Sequence, residues 1–288
     1  MVGILITGGT GTFGHAFVPE MLKISEVQRI VVLSRDELKQ AEMERSFDGQ
    51  VGADRLRFYL GDVRDERRLE MALHNITHIV HAAALKRIEK CENDPIEAVR
   101  TNVEGTANII HAALRTPTPE HMVGLSSDKA CNPVNLYGAT KLTMERLILA
   151  ANNLAGGKMR FSVVRYGNIF GSRGSVVRTW QAASVGGMMK QVLVTDLDAT
   201  RFFMRIEQAV VMVKHRLFNP MVGDAMFYPP PMSAYRLGDL LTAMGLEAGI
   251  VTGLGPWEKQ HEEIMPGMSS ADARRMSIEE LREELRQL

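Results

Sequence analysis

The chain reads as an α/β protein built on a doubly wound parallel sheet, with a smaller substrate lobe toward the C-terminus. Three observations predict this. Apolar runs alternate with amphipathic segments over the first 165 residues, a glycine-rich turn follows the first run, and polar motifs cluster where such runs end. Parallel strands need crossover helices on both faces, so the expected product is an open sheet with its ligand crevice at the strand C-termini.

Strands are expected near residues 3–7, 29–33, 56–60, 77–81, 121–126 and 160–165. Gly3-Ile4-Leu5-Ile6-Thr7 is the first, and Gly8-Gly9-Thr10-Gly11-Thr12-Phe13-Gly14 turns it into a helix beginning near Phe13. This is a dinucleotide-binding turn of Rossmann type. Gly8, Gly11 and Gly14 permit the tight turn, the approach of backbone N–H groups to a pyrophosphate, and close helix–strand packing, with Thr10, Thr12 and Phe13 between them.

The second strand ends Leu33-Ser34-Arg35-Asp36. A carboxylate here suits the ribose hydroxyls of NAD, whereas an Arg accommodates the 2′-phosphate of NADP. Ser34 and Arg35 favour NADP; Asp36 leaves NAD open. Asp62 and Val63 follow the third strand, in reach of the adenine or in a solvated turn. His81-Ala82-Ala83-Ala84 closes the fourth with small side chains, against which the nicotinamide half can lie. Lys86, just beyond, reaches substrate or cofactor, or is solvated.

The fifth strand leads into Ser126-Ser127-Asp128-Lys129, and Tyr137-Gly138-Ala139-Thr140-Lys141 follows. Tyr137 and Lys141 share one face of a helix, where the ammonium can lower the phenol pKa and make it a base near neutrality. That is hydride-transfer chemistry. Asp128-Lys129 adds a second acid/base couple, which a simple alcohol dehydrogenase does not need; a surface ion pair is the plain alternative.

After Tyr166 the pattern breaks into shorter elements at Gly167-Asn168, Gly171-Ser172-Arg173-Gly174, Gly186-Gly187 and Pro229-Pro230-Pro231. A dinucleotide domain over 1–166 is therefore expected, with 167–288 mainly a substrate lobe interleaved with late elements of the first. Ser277-Ile278-Glu279-Glu280 spells a capping box opening a short charged, solvated helix.

The 34 basic and 34 acidic residues cancel, so no global field gathers nucleic acid or an anionic membrane. No apolar run approaches the roughly 20 residues that span a bilayer, and no cationic leader is evident, so a cytoplasmic protein is expected. Cys91 and Cys131 lack metal-ligand spacing and suit small reduced fillers; no metal is expected. Met188-Met189 fits core or interface with equal ease.

Taken together, the Gly8/Gly11/Gly14 turn, His81-Ala82-Ala83-Ala84, Thr101-Asn102 and Tyr137-x-x-x-Lys141 resemble the extended short-chain dehydrogenases/reductases. Ser34 to Gln40, Ala83 to Lys86, Ser127 to Ala130, Asn132 to Lys141 and Arg165 to Asn168 more closely resemble the C5-inverting UDP-N-acetylglucosamine 4,6-dehydratases, over residues 3 to about 262. The resemblance implies a nicotinamide cofactor contacted also by Asn102, Tyr137 and Lys141, a UDP-sugar substrate, and a homo-oligomer.

It also implies a cycle. Tyr137 takes the C4 hydroxyl proton as hydride leaves C4, the 4-ketone acidifies C5–H, water departs across C5 and C6, and hydride returns to C6. Asp128 would assist loss of water and Lys129 would manage the C5 proton, for which its pKa must fall; retaining relatives carry Glu at that place. Ser127 replaces a more usual Thr and keeps the hydroxyl. Asn168, Thr200 and Arg201 are implied substrate contacts, Arg201 for the anion.

In Gly253 to Glu262 the chain departs from the family, with Gly255 in place of an Arg and Trp257 in place of a Gly. Diphosphate binding must then rest on Arg201, Arg173 or Lys259. A C4 epimerase or ketoreductase, and a catalytically silent dinucleotide-binding regulator, remain as alternatives.

Overall fold

The computed structural model describes residues 1–184, 191–219 and 225–288; Gly186-Gly187 and Met188-Met189 lie outside them. Among the described residues one parallel sheet dominates. Its strands are β1 (Val2–Thr7), β2 (Val27–Ser34), β3 (Leu56–Leu60), β4 (His78–His81), β5 (His121–Ser127), β6 (Arg160–Tyr166) and the short Met226–Phe227, in the order β3-β2-β1-β4-β5-β6-(Met226–Phe227). All six expected strands are present. Thr7 pairs with Leu33 on one side and His81 on the other, so the strand order reverses at the C-terminal end of β1, where an open α/β sheet binds its ligands.

The strands read as unbroken apolar runs because both faces are covered. The helices are α1 (Thr12–Leu22), α2 (Glu37–Ser46), α3 (Glu66–Ala72), α4 (Ile88–Asn93), α5 (Pro95–Val99), α6 (Gly105–Arg115), α7 (Leu136–Ala155), α8 (Val176–Ser184), α9 (Ile206–Phe218), α10 (Leu237–Ala243) and α11 (Ile278–Arg286). Side chains alternate along a strand. Ile4 and Ile6 therefore join Phe17, Met21, Val213 and Leu217 of α1 and α9, while Leu5 joins Leu69, Ile109 and Ile148 of α3, α6 and α7.

A third core gathers Phe170, Trp180, Val194, Tyr235 and Leu240 under short strand pairs, Thr200–Phe202 against Ala234–Arg236 and Gln191–Val194 against Glu247–Val251. From among these elements α9 returns to the large sheet and packs on α1. The capping box of α11 forms as expected, Ser277 accepting from the Glu280 N–H and Glu280 from that of Ser277. The helix is not simply solvated, however. Leu281 is fully buried in the third core and Glu284 pairs with Arg205, so an apolar stripe four residues wide in spacing docks what its charge content made look free.

Candidate active site

At the end of β1, α1 begins with Gly11 as its N-cap and no side chain caps it. Its leading N–H groups face outward, the arrangement that binds a phosphate. An open cavity of about 340 Å³ lies there, lined by Gly8, Thr10 and Gly11 from the turn, Ser34 and Arg35 from β2, and Asp62 and Val63 after β3. Ala83, Ala84 and Arg173 close its other side. A Cβ on Gly8 would stand 2.8 Å from the Ala83 backbone, so only glycine lets β1 and β4 meet there. These residues fit a dinucleotide. A larger hollow of about 500 Å³ sits among Gly3, Arg29, Arg57 and Thr118, at the opposite strand ends, and holds none of the motifs.

Several cofactor candidates sit differently from expectation. Phe13 turns its ring into the core against Phe17, leaving only its backbone for a ligand. Asn102 lies in a π-helical turn, Arg100–Glu104, and its amide is spent: it accepts from the Leu85 N–H at 2.7 Å and donates to the Leu85 carbonyl and to Thr140 Oγ1. Its side chain thereby shapes the loop after β4. Ala82 packs on the core beside that loop. Arg35 is drawn toward Asp62 (3.5 Å) and Glu97 (3.7 Å), which Arg64 also binds. Burial would raise the Asp62 carboxyl, but hydrogen bonds from the Arg64 side chain and N–H, with the Arg35 and Arg64 charges, outweigh it and hold it low.

The catalytic candidates converge where β5 meets α7. Ser127 ends the strand, a 3₁₀ turn carries Asp128–Ala130, and Asn135 caps α7 by accepting from the Gly138 N–H at 2.7 Å. A Cβ on Gly138 would lie 2.2 Å from the Lys129 carbonyl, so this glycine allows the helix to seat on the turn. Ser127 Oγ donates to Asp128 Oδ1 at 2.8 Å and also bonds the Tyr137 phenol. Lys129 Nζ reaches Asp128 Oδ1 (3.2 Å), Asn168 Oδ1 (2.9 Å) and Glu262 Oε1 (3.2 Å). With Asp128 wholly buried, this is not a surface ion pair.

Two electrostatic expectations are corrected. Lys141 does not tune Tyr137 here: its ammonium donates to the Leu125 carbonyl and abuts Met144 Sδ, and burial brings it down to about 8. Burial pushes the Tyr137 phenol up to about 12, with Lys129 as the cation opposing that rise. Nor does the pKa of Lys129 fall. Burial works to lower it, but the charges of Asp128 and Glu262 prevail and hold the ammonium above its ordinary range. Asp128 is raised by burial, more than Lys129 lowers it, and Glu262 adds to the rise.

The implied substrate residues divide. Asn168 joins Lys129, and Arg201 lies near enough to act on Lys129 and Glu262 while its Nη1 is anchored on the Thr200 and Gln260 carbonyls. Thr200 is buried with its hydroxyl bonded to His261 and Ser270, a structural role. Lys259 donates to the Cys131 carbonyl and pins its segment over the 3₁₀ turn. Arg173 stands at the dinucleotide cavity, its N–H on Thr12 Oγ1 and its carbonyl taking Lys86 Nζ at 2.8 Å. These two residues strap the cavity mouth rather than line the Lys129 cluster.

Sequence reasoning missed the placement of Glu262. An acid beside Lys259 and His261 in a segment matching the family was the available signal. Arg165 serves structure: it holds Glu145 at 2.8 and 2.5 Å and the Ile264 carbonyl at 2.9 Å, beneath the cluster.

The chain is similar to known proteins over most of its length. A UDP-N-acetylglucosamine 4,6-dehydratase (inverting) of Campylobacter jejuni subsp. jejuni serotype O:23/36 (strain 81-176) is 43% identical over 262 residues, covering 90% of this chain and 76% of that protein. A UDP-glucose 4-epimerase of Rickettsia rickettsii (strain Sheila Smith) is 35% identical over 279 residues, 94% and 79% of the two chains. The X-ray structure of Pen from Bacillus thuringiensis superposes with a TM-score of 0.90 at 31% identity, covering 100% of this chain and 98% of that one. The family described as polysaccharide biosynthesis protein matches residues 4–280. With that match over nearly its whole length, the chain belongs to the polysaccharide biosynthesis protein family, among the extended short-chain dehydrogenases/reductases.

Proposed function

We propose that this protein converts UDP-N-acetylglucosamine to a 4-keto-6-deoxy sugar nucleotide with inversion at C5. The observation that carries the reading is the buried Asp128–Lys129 couple, one hydroxyl away from Tyr137. An epimerase or ketoreductase needs the phenol and Lys141 but has no use for a second acid/base pair, and a silent regulator needs neither.

A nicotinamide dinucleotide suits the cavity. Its pyrophosphate would lie on the uncapped start of α1, its adenosine between Ser34, Arg35, Asp62 and Val63, and its nicotinamide half against Ala83 and Ala84, toward Lys141 and Tyr137. NADP is the preferred form, because Ser34, Arg35 and Lys39 line the cavity, while Asp36 at the same wall caps α2 and pairs with Lys39. When bound, the nicotinamide takes hydride from C4 and returns it to C6.

The chain's own groups handle the protons. Tyr137, as phenolate, accepts the O4 proton, a form that the Lys129 charge favours against burial, and the Ser127 hydroxyl stands between it and Asp128. Asp128, kept protonated by burial, gives its proton to the leaving C6 hydroxyl and takes the C5 proton on its unpartnered Oδ2. The Lys129 ammonium then protonates C5. The cluster loses two protons and gains one from C5, and Tyr137 replaces the other through Ser127, so only water is lost.

Incubating the protein with NADP and UDP-N-acetylglucosamine in deuterated water tests this. Deuterium at C5 of a 6-deoxy product is expected. A galacto product means an epimerase, and no turnover means a regulator; either sinks the proposal.

A further inference from the structure

Glu262 belongs to no motif of the cycle, yet it is built into its centre. Its N–H donates to Ser270 Oγ at 2.9 Å, and its carbonyl accepts from the Ser270 N–H at 2.8 Å. Ser270 is itself held by Thr200. The side chain so fixed is almost wholly buried, with Oε1 3.2 Å from Lys129 Nζ and Oε2 lacking any hydrogen-bond partner. Asp128 Oδ2 is also buried without a partner. Two carboxyls thus flank one ammonium, each with an oxygen to spare. In a buried place that arrangement favours retaining one extra proton, because two close carboxylates do not both ionise freely.

We propose that Glu262 is a positioning residue for the elimination: it holds the Lys129 ammonium between two carboxyls, and its charge keeps the shared proton on Asp128 for the leaving C6 hydroxyl. This rests on the dehydratase reading. The groups facing the cluster decide which carboxyl holds the proton. Arg201 and Lys259 stand near Glu262, whereas Lys129 is the cation that acts most on Asp128, with the Tyr137 and Tyr235 phenols nearby. Burial would raise Glu262, but Lys129, Arg201 and Lys259 bring it below the ordinary range, opposite to Asp128.

The test compares wild type, Glu262→Gln and Glu262→Asp in single turnovers, following reduced cofactor for C4 oxidation and 6-deoxy product for elimination. Glu262→Gln should oxidise C4 at the wild-type rate but eliminate about 100-fold more slowly, so reduced cofactor accumulates. Elimination needs protonated Asp128 and fails as pH rises through its pKa. Removing the Glu262 charge makes Asp128 a stronger acid, so this limb should move about one unit to lower pH, and Glu262→Asp should restore it. Wild-type elimination and limb in Glu262→Gln overturn the inference. So do oxidation and elimination falling together, which marks a merely structural residue. Wild type that forms no 6-deoxy product overturns the dehydratase reading, and this inference with it.

Discussion

At Lys141 a buried charge works against the fold that holds it. The side chain is 4% exposed, and burial brings its pKa to about 8 against an attraction from Glu145. An unfolded chain keeps that proton to about pH 10.4. Between the two values the unfolded state binds more proton, so folding weakens as pH falls through this window and stays weakened below about 8. Lys141→Met should therefore stabilise the protein by about 1–3 kcal/mol at neutral pH, a gain that shrinks toward pH 10. Urea unfolding at several pH values measures it; a destabilised variant would mean that the Leu125 bond outweighs desolvation.

At the level of single elements, the β2–α2 junction shows how a capping requirement decides cofactor chemistry. Asp36 accepts from the Lys39 N–H at 3.0 Å and pairs with the Lys39 ammonium, which fixes the start of α2. Arg35 then faces the cavity with Asp62 and Glu97 as replaceable partners. Arg35→Ala should weaken NADP binding about tenfold and leave NAD binding unchanged, as read by titration of each cofactor. Equal effects on both would contradict a 2′-phosphate contact. The α5–α6 junction is a second case. Its π turn presents Asn102 to Leu85 and Thr140, so a residue that looked like a ligand contact is spent on holding a loop.

Across the whole molecule, what the sequence reveals depends on how far apart the interacting residues lie. Strand alternation and the glycine turn are local, and so is the Ser127 to Lys141 unit, whose strand, turn and helix are fixed by neighbours; these were legible. Glu262, Arg173 and Thr200 come to their places through the packing of the third core, the Ser270 bonds and the strap of Lys86 on Arg173, none of which leaves a short-range pattern. The Lys129 and Tyr137 electrostatics depend in the same way on packing, since Asp128 and the distant Glu262 together hold the first up and burial raises the second. The two halves are also tied by the buried Arg165–Glu145 pair, which carries the Ile264 carbonyl of the segment holding Glu262. All of this serves one chemical claim, that Lys129 supplies the proton at C5. A single turnover of Lys129→Ala with NADP and UDP-N-acetylglucosamine tests it most directly: reduced cofactor should form and persist without 6-deoxy product, whereas product at the wild-type rate would contradict it.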